Sequence, residues 1–200
     1  MAGPELYLPD DDYWRLKVVT PPSVEILTAE DLRAQCRIDI PDEDVLSLRF
    51  IAGARKMLES RTRRCFLATT LAASATWFPR GVQPIELPRA TATAVTSITY
   101  RDGLGTLQTL DPSDYVVDLG GEPGLVIPAI NTYWPTTDAR AGAVTVTFTA
   151  GAAAAADVDP LARQAVALLA GHWFIHRELE GMIPPEKQVA WDNLVNLLRW

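Results

Sequence analysis

Two cysteines and two histidines are all that 200 residues offer of the side chains most used in covalent and metal chemistry. Cys36 and Cys65 stand far apart and lack CxxC spacing, which excludes a disulfide framework and argues against a thiolate metal site. They read as reduced, small residues of a protein made in cytoplasm. His172 and His176 are four positions apart, so one helix face could turn both toward a metal. Trp173, however, stands where the HExxH pattern needs its glutamate, and there is no third histidine. The chain has no GxSxG nucleophile elbow, and its glycine-rich runs, Gly120 to Gly124 and Asp102 to Gly105, sit between strand patterns rather than ahead of a helix. No metal and no cofactor are expected. Positive charge is also in deficit, 18 Lys and Arg against 25 Asp and Glu, a net charge of −7. That field repels nucleic acid and speaks against nonspecific phosphate binding. No apolar run approaches the ~18 residues of a membrane span, and no charged-then-apolar leader opens the chain, so no membrane contact is expected.

What the chain does have is apolar content. At 48% hydrophobic and 22% charged it supports one domain, or one domain with an insertion. The stretch from Asp157 to Gly181 organises the rest. Asp159-Pro160 caps and opens a helix, Gly181 suits its C-terminal end, and Pro184-Pro185 stop it. Between Ala165 and Ile175 no residue is charged if His172 is neutral. A helix apolar on nearly every side must be covered on nearly every side. One small core covers one stripe, and a second stripe calls for a neighbouring subunit. Gly171 in its middle costs about 1 kcal/mol relative to alanine unless a close helix contact needs the missing side chain.

The flanking segments fall into three kinds. Residues 1–27, with Pro4, Pro9, Pro21 and Pro22, hold no regular element and read either as a disordered tail or as an extended N-terminal arm whose Tyr13, Trp14 and Leu16 anchor on a neighbour. Thr28 opens a helix through a TAED capping box with Asp31, Leu32 and Cys36 sharing a face. Asp42 to Arg63 predicts a longer helix, with a stripe of Val45, Leu48, Ile51, Ala54 and Leu58, a second of Leu46, Phe50 and Met57, and a basic end. From about residue 69 to 150 the pattern turns to strands: Val144, Val146 and Phe148 alternate with threonines, and Asp102-Gly103 supplies a hairpin turn. Residues 129–142, including Tyr133 and Trp134, read as an exposed loop. Pro185 to Trp200 predicts an amphipathic helix whose Trp191, Leu194, Leu198 and Trp200 either dock on a partner or close the subunit's own core. The expected fold class is α+β: a helical bundle of about four helices from residues 28–68 and 151–200, with a small antiparallel β subdomain at 69–150 inserted.

Three segments in their order carry a resemblance: LKVVTPPSVEILTAEDLRAQCRIDIPDEDVLSLRFIAGARKMLESRT (16–62), IELPRATATAVTSITYRDGLGTLQTLDPSDYVVD (85–118) and VTVTFTAGAAAAADVDPLARQAVALLAGHWFIHRE (144–178). Together they resemble the head–tail connector, or adaptor, proteins of long-tailed bacteriophages, prophages and gene transfer agents. The resemblance implies a ring of about twelve subunits in the virion neck, seated under the portal protein and presenting a platform to a stopper or other neck protein. Genomic DNA would pass through the lumen without specific binding. It implies neither catalysis nor cofactor, and supplies no contact residues. From the sequence alone, Trp191, Leu194, Leu198 and Trp200 are the candidates for portal binding, and Tyr13, Trp14, Trp173 and Phe174 for subunit contacts. The rival readings are a metal-dependent hydrolase using His172 and His176, and another neck protein, a stopper or tail terminator. The latter are built mainly from β structure, so the helical segments count against them.

Overall fold

The computed structural model describes residues 14–37, 43–176 and 185–199. They form a mixed α+β chain of four α-helices and two sheets. In chain order the elements are β1 (Arg15–Thr20), α1 (Ala29–Cys36), α2 (Asp44–Thr62), β2 (Thr69–Ala75), β3 (Ile85–Glu86), β4 (Ala92–Arg101), β5 (Leu107–Thr109), β6 (Tyr115–Asp118), β7 (Leu125–Pro128), β8 (Val144–Ala150), α3 (Pro160–His176) and α4 (Pro185–Leu198). The chain divides into two compact units. One holds the chain up to Val19 with Thr70–Pro88 and Ala94–Thr149; the other holds Thr20–Thr69, Arg89–Thr93 and the residues from Ala150 on.

The first unit is built on strands. A five-stranded sheet runs in the order β1-β2-β8-β4-β5, and a three-stranded one in the order β3-β7-β6. In β8 Val144, Val146 and Phe148 are buried and alternate with half-buried threonines, the two-residue period expected of a strand with one face covered. The hairpin of β4 and β5 is antiparallel, with Thr99 opposite Thr109 and Arg101 opposite Leu107. Asp102 fixes its turn by accepting from the backbone N–H of Leu104 at 2.9 Å and of Thr106 at 3.0 Å. In the smaller sheet Tyr115 pairs with Pro128 and Ile85 with Val126. The 129–142 loop is only partly exposed, contrary to the sequence expectation. Tyr133 faces solvent, but the ring of Trp134 stacks on Phe78 at 5.0 Å and its indole N–H donates to the Gln83 carbonyl at 2.8 Å. An aromatic with one polar atom is buried readily once that atom finds a partner.

Residues 15–20 also depart from expectation, forming an edge strand where the prolines argued against any regular element. Pro9 and Pro21 bracket the strand instead of interrupting it.

The second unit is helical. The capping box at α1 forms as read: the Thr28 hydroxyl accepts from the Asp31 N–H at 3.0 Å, and Asp31 accepts from the Thr28 N–H at 2.8 Å. That backbone bond holds the Asp31 carboxyl below its ordinary pKa. Ile51, Ala54 and Leu58 of α2 reach the core as expected, but the buried line continues back through Ser47, while Val45 and Leu48 are exposed. Ser47 lies one turn before Ile51 on the same face, so periodicity from Ile51 admits either side and packing selects the serine. Phe50 and Met57 pack at the edge of the core. Helix α3 lies close against two neighbours through glycines. A Cβ at Gly53 of α2 would meet Trp173 at 3.3 Å, and one at Gly171 would meet the Cys36 Sγ of α1 at 3.3 Å. The close contact that justifies Gly171 is therefore within the chain.

Arg55 is buried in α2 and satisfied on three nitrogens. Nε and Nη2 bond Glu25 at 2.8 and 3.0 Å, and Nη1 bonds Glu59 at 2.8 Å. Glu59 also accepts from the Phe66 N–H at 3.1 Å. Burial pushes the Glu59 carboxyl up, against the pull of the guanidinium. The cluster ties α2 to the segment before α1 and to the chain leaving α2. Arg55→Lys keeps the charge but loses the two-pronged bond to Glu25. It is expected to lower unfolding stability by about 1–2 kcal/mol, read from the urea midpoint.

Candidate assembly surfaces

The His172 and His176 rings lie 4.4 Å apart, and among the described residues no group of three His, Cys, Asp or Glu side chains is placed to hold a metal. Cys65 is buried, which pushes its thiol up to about 11, and burial raises Cys36 as well. A thiol protonated at neutral pH is a poor nucleophile. Asp102 and Asp111 bond backbone N–H groups of their own turns and are held low in pKa by hydrogen bonds, Asp102 first by the Gln108 amide and Asp111 first by the Ser113 N–H.

The residues expected to make contacts with other chains divide differently from the sequence reading. Trp191 and Leu198 of α4 are buried in the chain's own core and Leu194 packs beside them. The Arg61 guanidinium lies over the Trp191 ring at 5.5 Å, a cation–π contact from α2 to α4. Phe174 is also core, meeting Phe50 edge to face at 6.2 Å, and Trp173 is half-buried against Gly53. Trp14 is half-buried just ahead of β1. Tyr13 and Trp200 lie outside the described residues.

The exposed apolar groups are others. Helix α3 buries Ala162, Ala165, Val166, Leu169, Ala170 and Phe174, and turns Leu161, Leu168 and Ile175 outward at 41%, 40% and 59% exposure. These three recur every seven residues, so they form one stripe along the helix. This is the second stripe that the sequence calls for. Its members are not the aromatics Trp173 and Phe174, which are half-buried and buried. Helix α4 presents Val189 and Leu197 outward, and α2 presents Val45 and Leu48. No helix of the described residues is long and apolar enough to cross a membrane, so these stripes are not spans.

The geometry thus defines an α+β chain whose helices close one core and still carry apolar side chains on their outer faces. Its fold is that of chains in gene transfer agent necks. It is similar to a chain in the neck of an empty GTA particle computed with C6 symmetry, with a TM-score of 0.72 and 24% identity over 92% of this chain and 95% of that one. A chain in the virion of a native gene transfer agent (GTA) particle gives a TM-score of 0.74 at 23% identity over 92% and 94%. A chain in the neck of a native GTA particle computed with C12 symmetry gives 0.67 at 23% over the same shares. No protein-family model and no curated protein matches the sequence.

Proposed function

We propose that this chain is a structural adaptor of the virion neck of a phage-like particle, made in the host bacterial cytoplasm. Copies form a ring beneath the portal, extend the DNA channel and offer a platform to the next neck or tail protein. The observation that carries the reading is the fold match, over 92% of the chain, to chains from gene transfer agent necks. The helical unit serves as the bundle of the ring, and the α3 stripe of Leu161, Leu168 and Ile175 is its natural subunit contact. A ring covers that stripe by giving every copy a neighbour on each side. Portal contact belongs to the outer face of α4, through Val189 and Leu197. The chain has no catalytic role. A net charge of −7 suits a lumen through which DNA must slide without being held.

Native mass of the purified protein, alone and mixed with its portal protein, tests this. A ring, or a monomer that becomes a portal-bound ring, is the expected result. A monomer indifferent to portal overturns the reading. Leu168→Glu is expected to abolish the ring while changing unfolding stability by no more than about 0.5 kcal/mol, because the position is outside the core.

A further inference from the structure

Among the described residues the five-stranded sheet has two open edges. Among the described residues β1 and β5 each pair on one side only, and they lie at opposite ends of the order β1-β2-β8-β4-β5. An edge strand carries unpaired N–H and C=O groups, and proteins blunt such edges with short strands, charged side chains, proline, bulges or a covering element. Here β5 is three residues long and β1 carries Arg15 and Lys17. Neither strand contains a proline. Val18 and Val19 are 53% and 54% exposed, and as successive strand residues they point to opposite faces. Of β1 only Leu16 is even half-buried, and all three residues of β5, Leu107 to Thr109, are exposed. The two edges also differ in charge. β1 carries Arg15 and Lys17, whereas β5 is flanked by Asp102, Asp111 and Asp114.

We propose that β1 of one copy pairs with β5 of the next, so that the sheets of adjacent subunits join into one. This rests on the ring reading and gives it a second subunit contact, made by backbone hydrogen bonds in the strand-carrying unit. The occupant is a second copy because one pairing, repeated around a ring, covers both edges of every subunit. Any single foreign strand would cover one and leave the other open. Unlike edges meeting head to tail generate a ring when the rotation closes, and closure removes sheet edges altogether. The basic strand then lies against the acidic flanks of its partner.

Cysteine pairs test the contact. Val18→Cys or Val19→Cys is combined with Leu107→Cys or Thr109→Cys, four double variants in all, since the register between copies is open. All four positions are exposed, so the reduced variants should keep the native mass of the unmodified protein. Oxidation of the assembled protein is expected to give, in at least one pairing, a ladder of covalent multimers on a denaturing gel. Parents with one introduced cysteine beside the native Cys36 and Cys65, which are half-buried and buried, should stop at a dimer. No ladder in any pairing, in preparations whose native mass is a ring, overturns the proposal and leaves the ring reading standing. Failure of the unmodified protein to form a ring, alone or with portal, removes both. Hydrogen exchange on the unmodified protein gives a variant-free check. Amides in 15–20 and 107–109 should slow at least tenfold on assembly, and unchanged exchange in both strands overturns the pairing.

Discussion

Gly151→Ala is expected to leave little folded protein at 25 °C. Gly151 has φ +97°, a conformation that side chains with a Cβ rarely adopt. A Cβ built there would lie 2.4 Å from the Leu67 carbonyl oxygen, 2.5 Å from its carbon and 2.9 Å from its nitrogen. All three are backbone atoms, and neither chain is free to retreat. The Ala68 N–H donates to Ala152 at 2.8 Å, the Ala152 N–H to Phe66 at 3.1 Å, and the Gly151 N–H to Thr91 at 2.9 Å. Relief of the overlap means breaking that three-way crossing and exposing its buried backbone groups. The expected loss exceeds about 4 kcal/mol, a large share of a domain's stability. Gly81→Ala is the control. Gly81 also has positive φ, +65°, but nothing lies within 4 Å of its built Cβ, so about 1 kcal/mol is expected. Circular dichroism through a urea titration reads both. A Gly151→Ala protein with near-normal midpoint would refute the crossing as described.

Trp191→Ala is the second large effect. The indole is 2% exposed, packs in the core with Val195 and Leu198, and receives the Arg61 guanidinium over its face. Its truncation removes a large buried apolar surface and leaves a cavity, a loss of about 3–5 kcal/mol. Leu197→Ala on the outer face of the same helix should change stability by less than about 0.5 kcal/mol. The contrast decides how α4 is used. A truncation removing residues 186–200 would be expected to fail as a folded protein, so its loss of portal binding would say nothing about docking. A Trp191→Ala protein with unaltered urea midpoint would overturn this placement and return the residue to partner contact.

Features fixed by neighbours in sequence were the legible ones. The Thr28–Asp31 capping box, the alternation of Val144, Val146 and Phe148, and the turn at Asp102 all depend on spacings of two to four residues, and each forms as read. Features fixed by what lies across the core were not. Ser47 and Leu48 compete for the inward direction one turn before Ile51 at the start of α2, and hydrophobicity alone favours the wrong one. Trp191 and Leu197 are both apolar on one helix, and only the presence of α2 and α3 on one side decides which is core. β1 was hidden by prolines that lie outside the strand. The surface stripe of α3 was implied by excess apolar content, yet its membership became visible only after the core had claimed its share.

The chain passes from one compact unit to the other five times, at Val19/Thr20, Thr69/Thr70, Pro88/Arg89, Thr93/Ala94 and Thr149/Ala150. Neither unit is a contiguous stretch of sequence, so neither corresponds to a continuous stretch of gene. A single recombination breakpoint within the coding region therefore joins one ancestor's strands or helices to another's inside a shared core. The coding sequence should then be exchanged between lineages as a whole.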